Sequence, residues 1–140
     1  MGLNILGIDH VVIRCNDLKR MTAFYCDVVG CTLDRWREEL GLVHLRAGNA
    51  FIDLADAEKA RQRAGTADRP TSGAAAAAAN PNMDHLCLTV GNFDIEAVNA
   101  HLVAHGVPAG KPVTRYGASG ERSSFYIADP EGNMVELRAG

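Results

Sequence analysis

Short apolar segments, separated by turns rich in glycine and asparagine, recur along the chain. Residues 7–14 form the first of them and carry β-branched side chains, which favour a strand. Residues 17–28 follow with apolar side chains at helical spacing, and Gly30 is placed to end this helix. Glycine turns divide the next stretch into three predicted strands, at residues 32–38, 42–46 and 50–55. The first half of the chain therefore predicts the order βαβββ.

The second half of the chain predicts the same order again. A strand at residues 83–90 precedes a helix at about residues 94–105, for which Asn92 is a suitable cap and Gly106 a suitable end. Three more strands are predicted, at residues 111–116, 122–128 and 134–138, with a turn at 129–133.

Two motifs also occur once in each half, in the same order. IDHVVI at residues 8–13 matches MDHLCL at residues 83–88, and GNAFIDL at residues 48–54 matches GNMVEL at residues 132–137. Repetition of one supersecondary unit usually means two units related by a pseudo-twofold axis. The sequence therefore predicts an α+β fold made of two βαβββ modules.

The two modules are predicted to form a single domain over residues 1–140. Module 1 is expected at about residues 5–56, module 2 at about residues 82–139, and a linker at about residues 57–81. The start of the linker, AEKARQRAG, is suited to a short exposed helix, and the rest, with its run Ala74 to Ala79, to a flexible connection. We expect no chemical role for the linker.

The composition is that of an ordinary globular protein, with 47% hydrophobic and 22% charged residues. A net charge of −3 gives no polycationic surface, so nucleic acid is not an expected partner. No apolar run is long enough to span a bilayer and the start lacks an export signal, so no membrane is expected and a cytoplasmic location is predicted. The four cysteines are therefore expected as buried, reduced thiols.

His10 and His85 stand at matching positions of the repeated strand, and neutral imidazole is a common metal ligand. Glu136 lies mid-strand, where an ionised carboxylate is costly to bury unless it is paired or bound to a cation. Two histidines and one carboxylate leave coordination positions open for substrate oxygens. The alternative is that the histidines are half-exposed strand residues and that Glu136 faces water. Their symmetric placement favours a metal site.

The repeated order, the strand start Asp9-His10, DHLCLTV (residues 84–90) and FYIADPEGNMVEL (residues 125–137) together resemble the vicinal oxygen chelate superfamily. That superfamily includes glyoxalase I, fosfomycin-resistance proteins, extradiol dioxygenases, epimerases and bleomycin-resistance proteins. The resemblance implies a curved mixed sheet around a concave metal site. It also implies one divalent metal (Ni, Zn, Mn or Fe) held by His10, His85 and Glu136.

The resemblance makes Asp53 and Tyr126 the catalytic candidates. Asp53 matches a glutamate that in glyoxalase I binds metal and transfers a proton; here it is a fourth ligand, a base, or a polar residue on the solvent face of an edge strand. Tyr126 either directs its hydroxyl to the metal or packs in the core. Arg122 and Ser124 are candidates for substrate contacts, and the neighbouring residues Lys111, Arg115 and Ser123 border the same region.

The predicted function is that of a metal-dependent, glyoxalase-like lyase or isomerase acting on a small substrate chelated through two adjacent oxygens. Gly117 replaces a histidine of extradiol dioxygenases, and Val12 replaces a threonine of fosfomycin transferases. An extradiol-type dioxygenase or an epoxide-opening resistance enzyme is nevertheless an alternative. A metal-free drug-binding protein of the bleomycin-resistance type is another. A homodimer is expected, with the modules paired within one chain or between two.

Overall fold

The computed structural model describes residues 3–63 and 83–140. The chain divides into two compact units, Met1–Thr71 (unit 1) and Ser72–Gly140 (unit 2), and each carries one four-stranded mixed sheet. The α+β class and the two βαβββ modules are therefore confirmed. The run Ala74 to Ala79 lies outside the described residues.

The four strands of unit 1 are β1 to β4, at His10–Cys15, Thr32–Arg37, Leu42–Ala47 and Ala50–Asp56. Its helical segments are α1 (Leu18–Ala23) with a π-helical continuation (Phe24–Val28), a 3-10 turn (Glu38–Leu40) and α2 (Ala57–Arg63). The strand order is β1-β4-β3-β2, so that β4 lies between a parallel neighbour, β1, and an antiparallel neighbour, β3.

Side-chain alternation along these strands gives unit 1 an apolar face. The face consists of strand residues that are almost fully buried, among them Val43, Leu45, Ile52 and Leu54. The first helical segment begins at a cap in which the Asp17 carboxylate accepts a hydrogen bond from the Arg20 amide at 3.0 Å. The helix predicted at the start of the linker is present as α2, but Ala60 on it is buried, so α2 is exposed on one side only.

Unit 2 repeats the arrangement of unit 1. Over residues 83–140 its elements are β5 (His85–Val90), α3 (Ile95–Ala104), β6 (Val113–Gly117), β7 (Gly120–Ala128) and β8 (Met134–Ala139). The strand order is β5-β8-β7-β6, with β8 between a parallel neighbour, β5, and an antiparallel neighbour, β7. The last strand of each unit is therefore a central strand of its sheet.

The cap of α3 differs from the prediction. Asp94, not Asn92, accepts the hydrogen bond from the Ala97 amide, at 2.8 Å. Asn92 has a φ of 51° and belongs to the turn before the cap, a left-handed conformation that asparagine tolerates better than most residues. The predicted end of the helix is confirmed, because Gly106 follows it with a φ of 67°.

The turn at residues 129–133 is confirmed, and a single carboxylate organises it. Asp129 is buried and accepts hydrogen bonds from the amides of Glu131 and Asn133, both at 2.9 Å, and from the Asn133 side chain at 2.8 Å. Carboxylates of this kind stabilise turns by satisfying backbone donors. Asp129 thereby fixes the entry into β8.

All four cysteines are free thiols, as expected. Cys15 and Cys31 are buried, and burial raises the pKa of the Cys31 thiol to about 11. Cys87, in contrast, is exposed, so the expectation of buried thiols is wrong at this position. The apolar neighbours Leu86 and Leu88 suggested burial of Cys87, but they point to the opposite side of the strand. None of the described helices has the length and apolarity that crossing a bilayer requires.

Candidate metal centre and active site

The sheet of unit 2 has one face lined by polar side chains, which we call the polar face. Strand alternation and register place the following chemically active side chains on it: His85, Cys87, Arg115, Arg122, Ser124, Tyr126, Glu136 and Arg138. The opposite face is apolar and carries buried core residues, among them Phe125, Ile127, Val135 and Leu137.

Glu136 lies on the central strand β8 and is only 4% exposed, so the alternative that it faces water is wrong. The Ser124 hydroxyl donates to its Oε1 at 2.5 Å, and the Tyr126 hydroxyl donates to its Oε2 at 3.2 Å. Burial raises the pKa of the Glu136 carboxyl, but the hydrogen bonds from Ser124, Tyr126 and Cys87 outweigh burial and leave the pKa below its usual value. Glu136 is therefore an ionised acceptor in a buried position.

His85 contacts Glu136 directly, with 3.0 Å between its Nε2 and the carboxylate Oε2. Its other ring nitrogen, Nδ1, lies 2.7 Å from Oδ2 of Asp84, and this hydrogen bond is the main reason why the pKa of His85 is raised. The ring also packs edge-on against Tyr126, with 5.5 Å between the ring centroids. The imidazole is thus held between two carboxylates.

This donor set fits a divalent metal. An imidazole nitrogen and a carboxylate oxygen side by side are typical ligands, and a carboxylate on the far ring nitrogen is the usual second partner of a metal-binding histidine. Within residues 3–63 and 83–140, no three histidine, cysteine, aspartate or glutamate side chains come together as a metal-binding group. Unit 2 therefore supplies the pair His85 and Glu136, and the third predicted ligand, His10, belongs to unit 1.

His10 in unit 1 repeats the local geometry of His85. Its Nδ1 lies 2.6 Å from Oδ1 of the preceding residue, Asp9, and this hydrogen bond is the main cause of a raised His10 pKa. His10 faces Phe51 across the parallel strand pair, two residues before Asp53. His85 likewise faces the residue two places before Glu136. Asp53 is therefore the register counterpart of Glu136.

Asp53 is 6% exposed and lies on the central strand β4, so its interpretation as a solvent-facing residue of an edge strand is wrong. The carboxylate Oδ1 lies 2.8 Å from Nδ1 of His44 on β3. His44 was not among the site residues predicted from the sequence. The signal was the two-residue turn at Gly48-Asn49, which fixes the hairpin register and so places His44 opposite Asp53.

The remaining predicted residues occupy different places. Tyr126 lies on the polar face with its hydroxyl on Glu136, so it does not pack in the core. Arg122 is exposed on the same face and donates to the neighbouring Glu121 carbonyl at 3.0 Å. The Arg115 guanidinium lies 5.8 Å from the centre of the Tyr126 ring. Ser123 points to the opposite face of β7.

The family is decided by a match that spans most of the chain. Residues 7–137 match the model of the Glyoxalase/Bleomycin resistance protein/Dioxygenase superfamily. The chain belongs to this superfamily. The resemblance inferred from the sequence motifs is thereby confirmed.

Several known proteins are similar to the chain over nearly its whole length. Virulence protein STM3117 of Salmonella typhimurium is 30% identical over 93% of this chain and 81% of its own. Its crystal structure superimposes with a TM-score of 0.75, at 27% identity, over 98% of both chains. Glyoxalase domain-containing protein RDO1 of Mycosarcoma maydis is 26% identical over 96% of this chain and 69% of its own. Glutathione transferase FosA of Serratia marcescens is 26% identical over 96% of this chain and 81% of its own.

Proposed function

We propose that the protein is a metal-dependent, glyoxalase-like lyase or isomerase that acts on a small substrate bound through two adjacent oxygens. The observation that carries this proposal is the contact between His85 Nε2 and Glu136 Oε2 at 3.0 Å on the polar face. An imidazole nitrogen beside an ionised carboxylate oxygen is a donor pair that divalent cations commonly take.

His10 is the proposed third ligand. Its hydrogen bond to Asp9 repeats that of His85 to Asp84, and in both cases the preceding aspartate orients the ring through Nδ1. A histidine held through Nδ1 presents Nε2 as its ligand atom. One Ni, Zn, Mn or Fe ion per site is part of this proposal, and so are a homodimer and a cytoplasmic location.

When bound, the metal would act as a Lewis acid on the two adjacent substrate oxygens. The chain's own residues then have two tasks. Asp53, held by His44 at 2.8 Å, takes a proton from the substrate carbon beside one oxygen and returns it to the neighbouring carbon. Tyr126, whose hydroxyl reaches Glu136, provides a donor that orients a substrate oxygen.

A second candidate is the transfer of a thiol to a small electrophile, such as the opening of an epoxide. It is supported by the similarity to glutathione transferase FosA. Extradiol cleavage has weaker support, because Gly117 stands where extradiol dioxygenases have a histidine. The Arg138 guanidinium occupies the space that such a side chain would need. A metal-free binding protein is not favoured, because it would have no metal ion for His85 and Glu136 to bind.

The test is a screen of the purified protein, reconstituted with Ni, Zn, Mn or Fe, against hemithioacetals, catechols, epoxides with glutathione, and 2-hydroxy or 2-keto acids. We expect isomerase or lyase turnover that the His85→Ala substitution abolishes together with metal binding. Unchanged turnover in that variant contradicts the proposal, and turnover on epoxides alone selects the second candidate. Less than about half an equivalent of bound metal would favour a binding protein.

Metal measurements need a background free of a second chelating pair. His101 lies on the exposed side of α3 and His105 is the residue that follows the helix, with 4.4 Å between the two ring centroids. Two histidines four residues apart occur together as zinc ligands in helical motifs, so this pair could add a background signal. The double variant His101→Ala/His105→Ala therefore serves as the reference protein in all metal experiments.

A further inference from the structure

Arg138 is a buried cation on the polar face. It follows Glu136 by two residues on β8, so both side chains point to the same side of the sheet, roughly 6.5 Å apart along the strand. Arg138 is 5% exposed. Its guanidinium donates to the Gly120 carbonyl at 2.6 Å. That bond uses one of five N–H donors of the group.

The charge of Arg138 has no carboxylate partner among the described residues. All ion pairs among the described residues involve side chains other than Arg138. Arg115 and Arg122, which lie on the same face of the sheet on β6 and β7, form no ion pair there either. Burying a cation is costly unless an anion is near. The guanidinium has five N–H donors, more than its contacts with the Gly120 carbonyl and the Cys87 thiol use, so it is suited to an anionic ligand. The exposed Arg115 and Arg122 raise the local positive potential further.

Gly117 provides the room for this guanidinium. A Cβ at this position would overlap Nη1 of Arg138 and come within 2.8 Å of its Cζ. Gly117, the last residue of β6, does not have a positive φ, so its backbone conformation does not require glycine. The absence of a side chain at Gly117 therefore makes room for the Arg138 guanidinium and is not needed for the backbone conformation. Within unit 1, the register counterpart of Arg138 is Ala55, so this feature is not part of the repeat.

We propose that Arg138, one strand step from Glu136, binds an anionic oxygen group of the ligand, such as a carboxylate or a phosphonate. The identification of that group as part of the substrate rests on the proposed function. The substrate class is then a small anion that carries its charge a few bonds away from the two oxygens that would bind the metal held by His85 and Glu136. A neutral substrate would leave the Arg138 guanidinium without an anion in direct contact.

The test is an NMR titration of ¹⁵N-labelled, metal-free protein with acetate and, separately, with methylphosphonate at constant ionic strength. We expect saturable shifts at β7 and β8 with a Kd in the millimolar range, as one group of this size can provide. The probe that binds more tightly shows whether the site prefers a planar carboxylate or a tetrahedral phosphonate. Arg138→Met should raise that Kd at least about tenfold, while Arg20→Met, which removes an exposed charge from α1, should leave it unchanged.

A second pair of variants leaves Arg138 in place. Gly117→Ala displaces the flexible end of the guanidinium and should weaken anion binding about tenfold without unfolding the sheet. Gly110→Ala is the matched control, because a Cβ there meets nothing within 4 Å. Wild-type affinity in Arg138→Met or in Gly117→Ala overturns the proposal, as does the absence of saturable binding by the wild-type protein. Since the titration is free of metal, it can succeed where metal binding fails, which separates this proposal from the proposed function.

Discussion

His44 and Asp53 form a hydrogen-bonded pair, with 2.8 Å between Nδ1 and Oδ1, at the register position that Tyr126 and Glu136 occupy in unit 2. In both units a ring on the third strand contacts a buried carboxylate on the central fourth strand. The two units thus keep the arrangement and change its chemistry. Phenol and glutamate in one become imidazole and aspartate in the other, which is the pair suited to moving a proton.

Asp53→Asn should separate the base from the ligand interpretation of this residue. If Asp53 is the base, turnover falls about 100- to 1,000-fold while metal affinity stays the same, because the amide cannot accept the proton. Steady-state kinetics and metal titration on the same sample measure both. Asp34→Asn, on an exposed carboxylate of β2, is the control. A loss of metal binding in Asp53→Asn would instead make this residue a ligand.

His44 is expected to act by holding Asp53 in place. His44→Phe keeps a ring of similar shape but removes the donor, so kcat should fall roughly tenfold with KM unchanged. His44→Asn retains an N–H near the position of Nδ1 and should recover part of that loss. Equal kcat values for the two variants would show that the hydrogen bond plays no part.

The sequence predicted the repeated order of elements because both halves carry the same periodicity and the same turn residues. It misplaced features that depend on competition between neighbours: Asn92 and Asp94 are both suitable caps, and only the turn geometry selects Asp94. His10, His85 and Glu136 were predicted as a set by the repeat and by the family resemblance. His44 was missed because nothing within its own segment, LVHLR, indicates a role; only the pairing of β3 with β4 places it beside Asp53.

The burial of Arg138 and the space at Gly117 were not predictable from the sequence at all. Each residue is ordinary in its own segment, an arginine within β8 and a glycine at the end of β6. Their relationship arises because β8 and the β6–β7 hairpin lie side by side, and sheet register decides which side chains meet.

Asp84 should tune the metal affinity of His85. It holds the Nδ1 side of the ring at 2.7 Å, and loss of such a partner typically weakens metal binding about 10- to 100-fold. Asp84→Asn, studied by isothermal titration calorimetry in the His101→Ala/His105→Ala background, should show this loss. Asp27→Asn, at an exposed site, should not. Equal metal affinities for Asp84→Asn and the reference protein would show that the hydrogen bond to the preceding aspartate does not prepare the histidine for metal binding.

Asp129 should contribute to stability rather than to chemistry. Asp129→Ala leaves the amides of Glu131 and Asn133 without their acceptor, which should lower the free energy of unfolding by about 2 kcal/mol. Urea denaturation followed by circular dichroism measures the difference. The exposed Asp34→Ala should change stability by less than about 0.5 kcal/mol. A wild-type midpoint for Asp129→Ala would show that the turn forms without this carboxylate.

The central claim is that His10, His85 and Glu136 bind one cation together. Its most direct test is metal stoichiometry and affinity, by elemental analysis and calorimetry, for His10→Ala, His85→Ala and Glu136→Gln in the His101→Ala/His105→Ala background. We predict about one equivalent of divalent metal for the reference protein and a loss of at least about 100-fold in affinity for each single variant. A reference protein that binds no metal, or a His10→Ala variant that binds it as tightly as the reference does, would contradict the account.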